Sequence, residues 1–334
     1  MIICRKVTRR VAIAAGALLV VPGVALAQSL DRKVRIGILV GGGLAQRGHL
    51  ENALMQGLRE KGLIEGKNLV IERRYAEGHV EMTPDYAREL AAMKLDAVVT
   101  TCTPTTRAAQ KVMGSTPIVM AAVADPVGQH LIASLARPGA NTTGLSSQAE
   151  DIMPKMLELF ASVLGRPAMV AVLADRASDV HPRMWQALGA AAQELQIRLL
   201  KVTAGRPSNV QLPAALEMAV REKADGIFVL PDEPLFLTGR KAIVGLAAKH
   251  RLPAFYGARE FVDDGGLMSY GENLRASYRG AASYVAKVAS GEKPDDMPVS
   301  QPTRFELIIN LKTAKALGIA IPHSLLLRAD EVIQ

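Results

Sequence analysis

The chain alternates between short apolar stretches and amphipathic stretches, and this alternation runs through two successive series. The stretch "VRIGILV" (34–40) is followed by Leu50, Leu54 and Leu58 at four-residue spacing, which predicts a strand and then a helix. The pattern restarts after "RPGANTTGLSS" (137–147). Near-continuous apolar strands that alternate with amphipathic helices are typical of a parallel sheet covered on both faces. The sequence therefore predicts an α/β chain with two doubly wound lobes and a cleft between them.

The start of the chain has the composition of an export signal rather than of a folded domain. Four basic residues lie within the first ten positions and precede the apolar stretch "VAIAAGALLVVPGVALA", which ends in an A-x-A pattern at Ala27. We therefore expect a signal peptide over 1–27 that is cleaved after Ala27. The pair Arg9 and Arg10 also matches a weak form of the twin-arginine signal, so this route and the general export route both remain open.

Removal of this leader fixes the charge and the cysteine content of the mature chain. The leader has four basic residues and no acidic ones, so the net charge of +8 falls by four to +4. That charge is mild, and no basic run suggests a nucleic-acid partner. Cys4 leaves with the leader, so Cys102 has no partner for an internal disulfide. With no second long apolar stretch, the sequence predicts a soluble protein exported to the periplasm.

The loops at the predicted carboxyl ends of the strands are the candidate ligand site. In open α/β sheets, ligands bind beyond these ends, beside helix N-termini. Any one of these loops, taken alone, is better explained by turn formation and helix capping. Their recurrence at the same edge of both lobes favours a shared cleft. The six loops read "GGGLAQ" (41–46), "TTCTPTT" (100–106), "AVADPVG" (122–128), "ADRASD" (174–179), "PDEPLF" (231–236) and "FYGARE" (255–260).

Sequence signatures of enzymes are missing from the chain. There is no P-loop, "GGGLAQ" does not complete G-x-G-x-x-G, and no G-x-S-x-G elbow is present. The six histidines show no spacing typical of a metal site. We therefore expect a protein that is not an enzyme and has no cofactor and no metal. Cys102 at a helix N-terminus is the remaining candidate nucleophile, although the sequence assigns no histidine as its base.

Three further segments resemble one family of proteins. They are "ADPVGQHLIASLARPGANTTGLSS" (124–147), "GGLMSYGENL" (265–274) and "QPTRFELIINLKTAKALGIAIPHSLLLRADEVI" (301–333), and 76–100 matches in outline. They are similar to the substrate-binding proteins of bacterial ABC transporters, a family that includes tryptophan-binding members. The resemblance implies a type I periplasmic-binding-protein fold, in which two Rossmann-like lobes with parallel sheets are joined by a hinge of several crossings. It also implies that the lobes close around a ligand.

The resemblance implies lobe boundaries and partners as well. It places 28–141 and about 253–297 in the N-terminal lobe, and 142–252 and about 298–334 in the C-terminal lobe. The implied partners are a small-molecule ligand, with an apolar or aromatic amino acid or a related carboxylate as the first expectation, and an ABC permease in the inner membrane. A monomer is expected. A ligand-sensing module for a membrane signalling protein and an exported enzyme that uses Cys102 are the alternatives.

The resemblance also gives individual residues a proposed role. Thr103 is expected as the N-cap of a helix whose first residue is Pro104, with free N–H groups and hydroxyls in this loop that suit a carboxylate. Cys102 stands where the family usually has glycine. Aspartates at strand ends would receive an ammonium group or hydroxyls, and tyrosines would supply apolar surface with a polar tip. The candidate ligand-binding residues are Gly42, Thr101, Cys102, Thr103, Asp125, Asp175, Asp232, Tyr256, Ser269 and Tyr270.

Overall fold

The computed structural model describes residues 33–165, 168–205, 208–231 and 234–334. The predicted signal peptide and the candidate ligand residue Asp232 lie outside this part of the chain. Residues 32–334 form one compact unit by their contacts. Within the described ranges, no helix is both long enough and apolar enough to cross a membrane.

The first sheet has five parallel strands in the order β2-β1-β3-β4-β5. Every residue of β3 and β4 is buried, because helices cover both faces. The helices α1, α2, α3 and α10 belong to this sheet, and we call the sheet and these helices the first lobe. The bounds are β1 Val34–Val40, α1 Leu44–Glu60, β2 Leu69–Tyr75, α2 Thr83–Ala91, β3 Ala97–Thr100, α3 Thr103–Val112, β4 Ile118–Val123, β5 Thr142–Ser146 and α10 Leu274–Ala289.

The second sheet has seven strands in the order β12-β11-β10-β9-β8-β6-β7. Its pairs are parallel except that β11 runs antiparallel to β10. This sheet and its helices form the second lobe. The bounds are α4 Met153–Leu164, β6 Ala168–Asp175, α5 His181–Leu195, β7 Ile197–Ala204, α6 Ser208–Arg221, β8 Gly226–Val229, α7 Pro234–Thr238, α8 Arg240–Lys249, β9 Ala254–Tyr256, α9 Arg259–Asp263, β10 Met268–Glu272, β11 Phe305–Asn310, α11 Leu311–Leu317, α12 His323–Leu326 and β12 Glu331–Ile333.

The two sheets confirm the predicted α/β class, whereas two boundaries need correction. Strand β5 was expected in the C-terminal lobe, but it pairs with β4 in the first sheet. We expected the segment from about 253 to 297 in the first lobe. However, β9 pairs with β8, and β10 pairs with β9 and β11, so these strands belong to the second sheet. The later part of the segment does return to the first lobe, where α10 packs on α1 and Met297 joins the core. Residues 254–272 lie in the second lobe because β9 and β10 form their backbone hydrogen bonds with strands of the second sheet.

Helix α10 lies very close to α1 because Gly57 has no side chain. A Cβ atom at this position would overlap the Arg279 carbonyl oxygen and would lie 2.8 Å from the Ala282 Cβ. An ion pair between Arg279 and Glu60, at 2.7 Å, continues the contact on the surface. The close approach buries Leu54 and Leu58 of α1 against the sheet and α10.

The chain crosses between the lobes after β5, after β10, and between α10 and β11. The third crossing begins beside β5. Ser146 N–H donates to the Ser300 carbonyl at 2.9 Å, and Ser300 N–H donates to the Gly144 carbonyl at 2.9 Å. The Tyr284 hydroxyl of α10 also contacts Ser300 Oγ at 2.7 Å. Two of the three crossing segments therefore leave the first lobe side by side, joined by backbone hydrogen bonds.

Candidate functional site

A cavity lies between the lobes at the carboxyl ends of both sheets. The empty space there is about 700 Å³, including the part that is open to solvent. Its wall is mostly apolar, with a few polar groups. The first lobe contributes Thr101, Ala122, Leu274 and Tyr278, the crossing after β5 contributes Ser147, Ala149 and Ile152, and the second lobe contributes Val229, Leu230, Pro231, Phe236, Leu237, Gly257, Ala258, Phe261, Gly271 and Glu272.

The N-terminus of α3 differs from the prediction. The helix begins at Thr103 and its N-cap is Cys102, one residue earlier than expected, because Thr105 completes a capping box with Cys102. The N–H groups of Thr101 and Cys102 both donate to Thr105 Oγ1 at 3.1 Å. Pro104 has no N–H to offer. The backbone donors that we expected to be free for a ligand carboxylate are therefore largely engaged within the loop itself.

Thr101 is the predicted site residue that lines the cavity. Its hydroxyl accepts a hydrogen bond from Gly41 N–H at 3.2 Å, which leaves the hydroxyl hydrogen available for a second contact. Gly41 is closely surrounded, since a Cβ atom there would lie 2.7 Å from Cys102 Sγ and 2.8 Å from Cγ of Pro234 in the second lobe. Cys102 is thus buried behind Thr101, at a point where the lobes touch, and it does not line the cavity.

An ion pair joins the lobes beside the cavity. Arg183 of α5 donates to Asp125, which follows β4 and is held in a left-handed conformation with φ of 41°. The other Asp125 oxygen accepts from Gly128 N–H at 2.9 Å. Nearby, Arg107 of the first lobe lies 3.7 Å from Asp179 of the second lobe. We call these two ion pairs the interlobe clasp. Asp125 therefore contacts the opposite lobe and not the cavity.

Asp175 and His181 fix the loop that follows β6. Asp175 N–H donates to His181 Nδ1 at 2.9 Å, so the proton of the neutral ring is on Nε2, which donates to the Pro231 carbonyl at 3.1 Å. Burial lowers the pKa of His181 to about 4. The ring also stacks on Phe236 at 5.8 Å between centroids. Since Pro231 and Phe236 line the cavity, His181 positions part of its wall.

The remaining predicted residues within the described ranges lie away from the cavity. Tyr256 is in the core, stacked on Phe261 with ring centroids 4.6 Å apart, and burial raises the pKa of its hydroxyl. Tyr270 packs against Phe305 of β11, with ring centroids 5.9 Å apart. Helices cover both faces of β9 and β10. The position of a tyrosine on these strands therefore does not indicate whether its side chain reaches the cavity. Ser269 is buried within the strand and Gly42 within the loop after β1, whereas Thr103 and Asp175 meet at a separate small pocket.

Two acidic residues were missed in the sequence, one that lines the cavity and one that is buried at the contact between the lobes. Glu272 ends β10 and lines the cavity, and Ser277 of α10 donates to its Oε2. Glu260 of α9 is 4% exposed and contacts His49 of the first lobe, with 2.9 Å between His49 Nε2 and Glu260 Oε1. Burial, and then the charge of Glu260, raises the pKa of Glu272 to about 7. The signal was present in "SYGENL", where a charged residue ends an otherwise apolar strand.

These features define a class of protein, in which two α/β lobes joined by several crossings enclose a mainly apolar cavity. The chain belongs to the ABC transporter substrate-binding protein family, whose model matches residues 45–333. The chain is therefore a substrate-binding protein of an ABC transporter, with the type I periplasmic-binding-protein fold that its sequence predicted.

Known relatives agree with this assignment. A conserved domain protein of Vibrio cholerae is 28% identical, with a TM-score of 0.83 over 90% of this chain and 100% of that one. An ABC domain from Streptococcus pneumoniae in complex with L-Trp is 25% identical, with a TM-score of 0.81 over 90% and 100% of the two chains. A tyrosine-binding protein of Clostridioides difficile is 26% identical over 270 residues, or 80% of this chain and 76% of the relative.

Proposed function

We propose that the protein is a periplasmic receptor that binds an amino acid with an apolar or aromatic side chain and delivers it to an ABC permease in the inner membrane. The cavity between the lobes is the observation that carries this proposal. Its wall combines apolar side chains with a small number of polar groups, as expected for a ligand with an apolar body and a polar end. The relatives named for L-Trp and tyrosine support the same ligand class.

The mechanism is closure of the lobes around the ligand. A ligand that touches both lobes stabilises the closed form in proportion to its differential affinity for the closed and open forms. The interlobe clasp and the contact between His49 and Glu260 join the lobes in the same arrangement that encloses the cavity. Delivery requires that the permease distinguishes this closed arrangement from the open one. The ligand leaves unchanged, because the receptor performs no chemistry on it.

The test is a binding screen on the mature chain that begins at Gln28. Amino acids, small carboxylates and sugars are added in a thermal-shift assay, and each compound that raises the melting temperature is measured by calorimetry. We expect saturable binding of an apolar or aromatic amino acid with one site for each chain. Recovery of that amino acid after incubation should show no conversion. Failure of every amino acid to bind, or its turnover, would contradict the proposal.

A pair of variants links the binding to the cavity. Ala258 lines the cavity, so Ala258→Trp fills part of it and should abolish binding while the protein still unfolds cooperatively. Ala190 is exposed on α5, and Ala190→Trp introduces the same side chain on the surface. The control variant should keep the affinity of the unmodified protein. Equal affinities in the two variants would place the ligand elsewhere.

A further inference from the structure

Glu272 has a buried carboxylate oxygen that no described group satisfies. The residue ends β10 at the point where the chain crosses to α10, and its side chain lines the cavity. Its Oε2 accepts a hydrogen bond from the Ser277 hydroxyl. Its Oε1 is buried and has no hydrogen-bond partner among the described residues. A buried acceptor without a partner is rare and destabilising, so this atom calls for an explanation.

Glu260 presents a second carboxylate of the same kind. Its side chain is almost fully buried, and one oxygen contacts His49. The other oxygen, Oε2, is buried without a hydrogen-bond partner among the described residues. The charge of Glu260 contributes to the raised pKa of Glu272, behind the larger effect of burial. Glu272 therefore lies where its negative charge is disfavoured.

Two partly buried carboxylates elsewhere in the described chain have an arginine as their partner. Glu51 contacts Arg73 at 2.6 Å, and Asp125 contacts Arg183. Among the described residues that line the cavity, by contrast, none is a lysine or an arginine. A cation that balances ionised Glu272 would therefore come from outside these lining residues, and the cavity that Glu272 lines is the place for it.

We propose that Glu272 binds a protonated nitrogen of the ligand, with Glu260 adding negative charge behind it. The ligand is accordingly an amine or amino acid whose ammonium group meets these carboxylates and whose apolar body lies against Phe236 and Phe261. This inference rests on the proposed function, because it takes the cavity as the ligand site. His49 reaches Glu260 from the other lobe, so lobe closure and the arrangement of the acidic pair are linked.

The opposite end of the ligand has no comparable charged partner. The wall of described residues offers hydroxyls, such as those of Thr101 and Ser147, but no basic side chain. The backbone N–H groups of Thr101 and Cys102 are already engaged by Thr105. Recognition should therefore depend more on the ammonium group of the ligand than on its carboxylate.

The experiment compares molecules that share one apolar body. The probes are L-tryptophan, tryptamine and indole-3-propionate, together with L-leucine, isoamylamine and 4-methylpentanoate as a smaller set. Calorimetry measures each probe against the unmodified protein, Glu272→Gln and Glu306→Gln. Glu306 lies on the neighbouring strand β11 and accepts from Asn273 at 3.1 Å outside the cavity, so its variant removes an equal charge nearby.

We expect the amine of at least one set to bind more tightly than the matching acid. Glu272→Gln should weaken the amine and the amino acid by about tenfold to a hundredfold, the range for loss of a charge-assisted hydrogen bond. The same variant should leave the acid unchanged or strengthen it, and Glu306→Gln should leave all affinities unchanged. Glutamine keeps the acceptor for Ser277, and Glu272→Asp, which retains the charge, provides a second variant with an intermediate loss.

Distinct outcomes separate this inference from the proposed function. If an amino acid binds but Glu272→Gln keeps its affinity, or the acid binds as tightly as the amine, the role of Glu272 is wrong and the receptor function stands. If no probe and no amino acid of the wider screen binds the unmodified protein, the receptor function falls and the role of Glu272 falls with it.

Discussion

Arg183 of the second lobe and Asp125 of the first lobe form an ion pair beside the cavity, although 58 positions separate them in the sequence. The pair exists only while the lobes lie close together. The side chain of Arg183 is 53% exposed, whereas that of Asp125 is 11% exposed. Water weakens such a partly exposed pair, so its contribution to the closed form is modest.

The clasp should affect ligand affinity through the closed form alone. We expect Arg183→Gln to weaken binding of the cognate amino acid about twofold to fivefold, because a partly exposed ion pair contributes up to about 1 kcal/mol. Calorimetry gives the affinity, and small-angle scattering without ligand should show a larger radius of gyration than that of the unmodified protein.

A matched control for the clasp is Arg88→Gln. Arg88 pairs with Asp85 within α2 and touches no residue of the second lobe through that pair. The substitution Arg88→Gln removes the same charge as Arg183→Gln but breaks no contact between the lobes. The ligand affinity and the radius of gyration should therefore not change. An equal effect of both substitutions would mean that net charge, and not the clasp, alters binding.

Stability should depend on pH through His181. Its pKa is lowered to about 4 in the folded chain by burial, whereas an unfolded histidine titrates near 6.5. The unfolded chain therefore binds a proton that the folded chain excludes as the pH falls from 6.5 towards 4. The stability that the neutral ring provides is complete above pH 6.5 and is lost across this range, by up to about 3 kcal/mol.

The measurement is urea unfolding at pH 7 and at pH 4.5. In His181→Gln, the amide can accept from Asp175 and donate to Pro231 but does not titrate, so the loss of stability between the two pH values should be smaller than in the unmodified protein. His79 is exposed, and His79→Gln serves as the control. If His181→Gln and the unmodified protein lose equal stability, His181 is not the group responsible.

Binding of an amine should release a proton from Glu272. Burial and the nearby Glu260 raise the pKa of Glu272 to about 7, and a bound ammonium group favours its ionised form. The affinity for tryptamine should therefore fall about tenfold between pH 8 and pH 6, since the ionised fraction falls by this factor. His49 contacts Glu260 and is a further titratable group near Glu272.

Calorimetry in buffers with different ionisation enthalpies detects the released proton directly. The apparent enthalpy of tryptamine binding at pH 7 should differ between phosphate and Tris for the unmodified protein but not for Glu272→Gln. The variant His49→Gln tests whether His49 contributes to this effect. Its affinity for tryptamine should retain most of the pH dependence. A pH dependence that survives Glu272→Gln and disappears in His49→Gln would assign the proton to His49.

Two glycines of α1 should respond in opposite directions to the same substitution. Gly57→Ala places a methyl group against the Arg279 carbonyl and Ala282, so it should destabilise the protein by about 1–3 kcal/mol. Gly48 has only Leu44 Cδ1 near its would-be Cβ, at 4.0 Å, so Gly48→Ala should stabilise by about 0.5–1 kcal/mol. Unfolding in urea measures both. Stabilisation by Gly57→Ala would show that α10 moves away from α1 without penalty.

The sequence predicted the fold well because the alternation of strands and helices is a local pattern. Strand β1 and the helix with Leu50, Leu54 and Leu58 were found at the expected positions. The destination of β9 and β10 was not predictable in this way, because the choice of sheet depends on long-range pairing with β8 and β11. The residues of an apolar strand do not by themselves indicate which sheet the strand joins.

The site was predicted less completely, for a similar reason. Thr101 was found because it follows a strand directly, and all such positions meet at one edge of the sheet. Tyr256 and Tyr270 were expected at the cavity, but strands covered on both faces lack the alternation that distinguishes one face from the other. Glu272 was missed because its burial follows from the crossing to α10, which a local pattern does not reveal.

The paired segments at Ser146 and Ser300 set how the receptor can move. Two adjacent segments joined by backbone hydrogen bonds can bend together, but they resist sliding past one another. If the lobes open, these two segments should therefore bend as a pair, which favours rotation of one lobe against the other over a sliding motion.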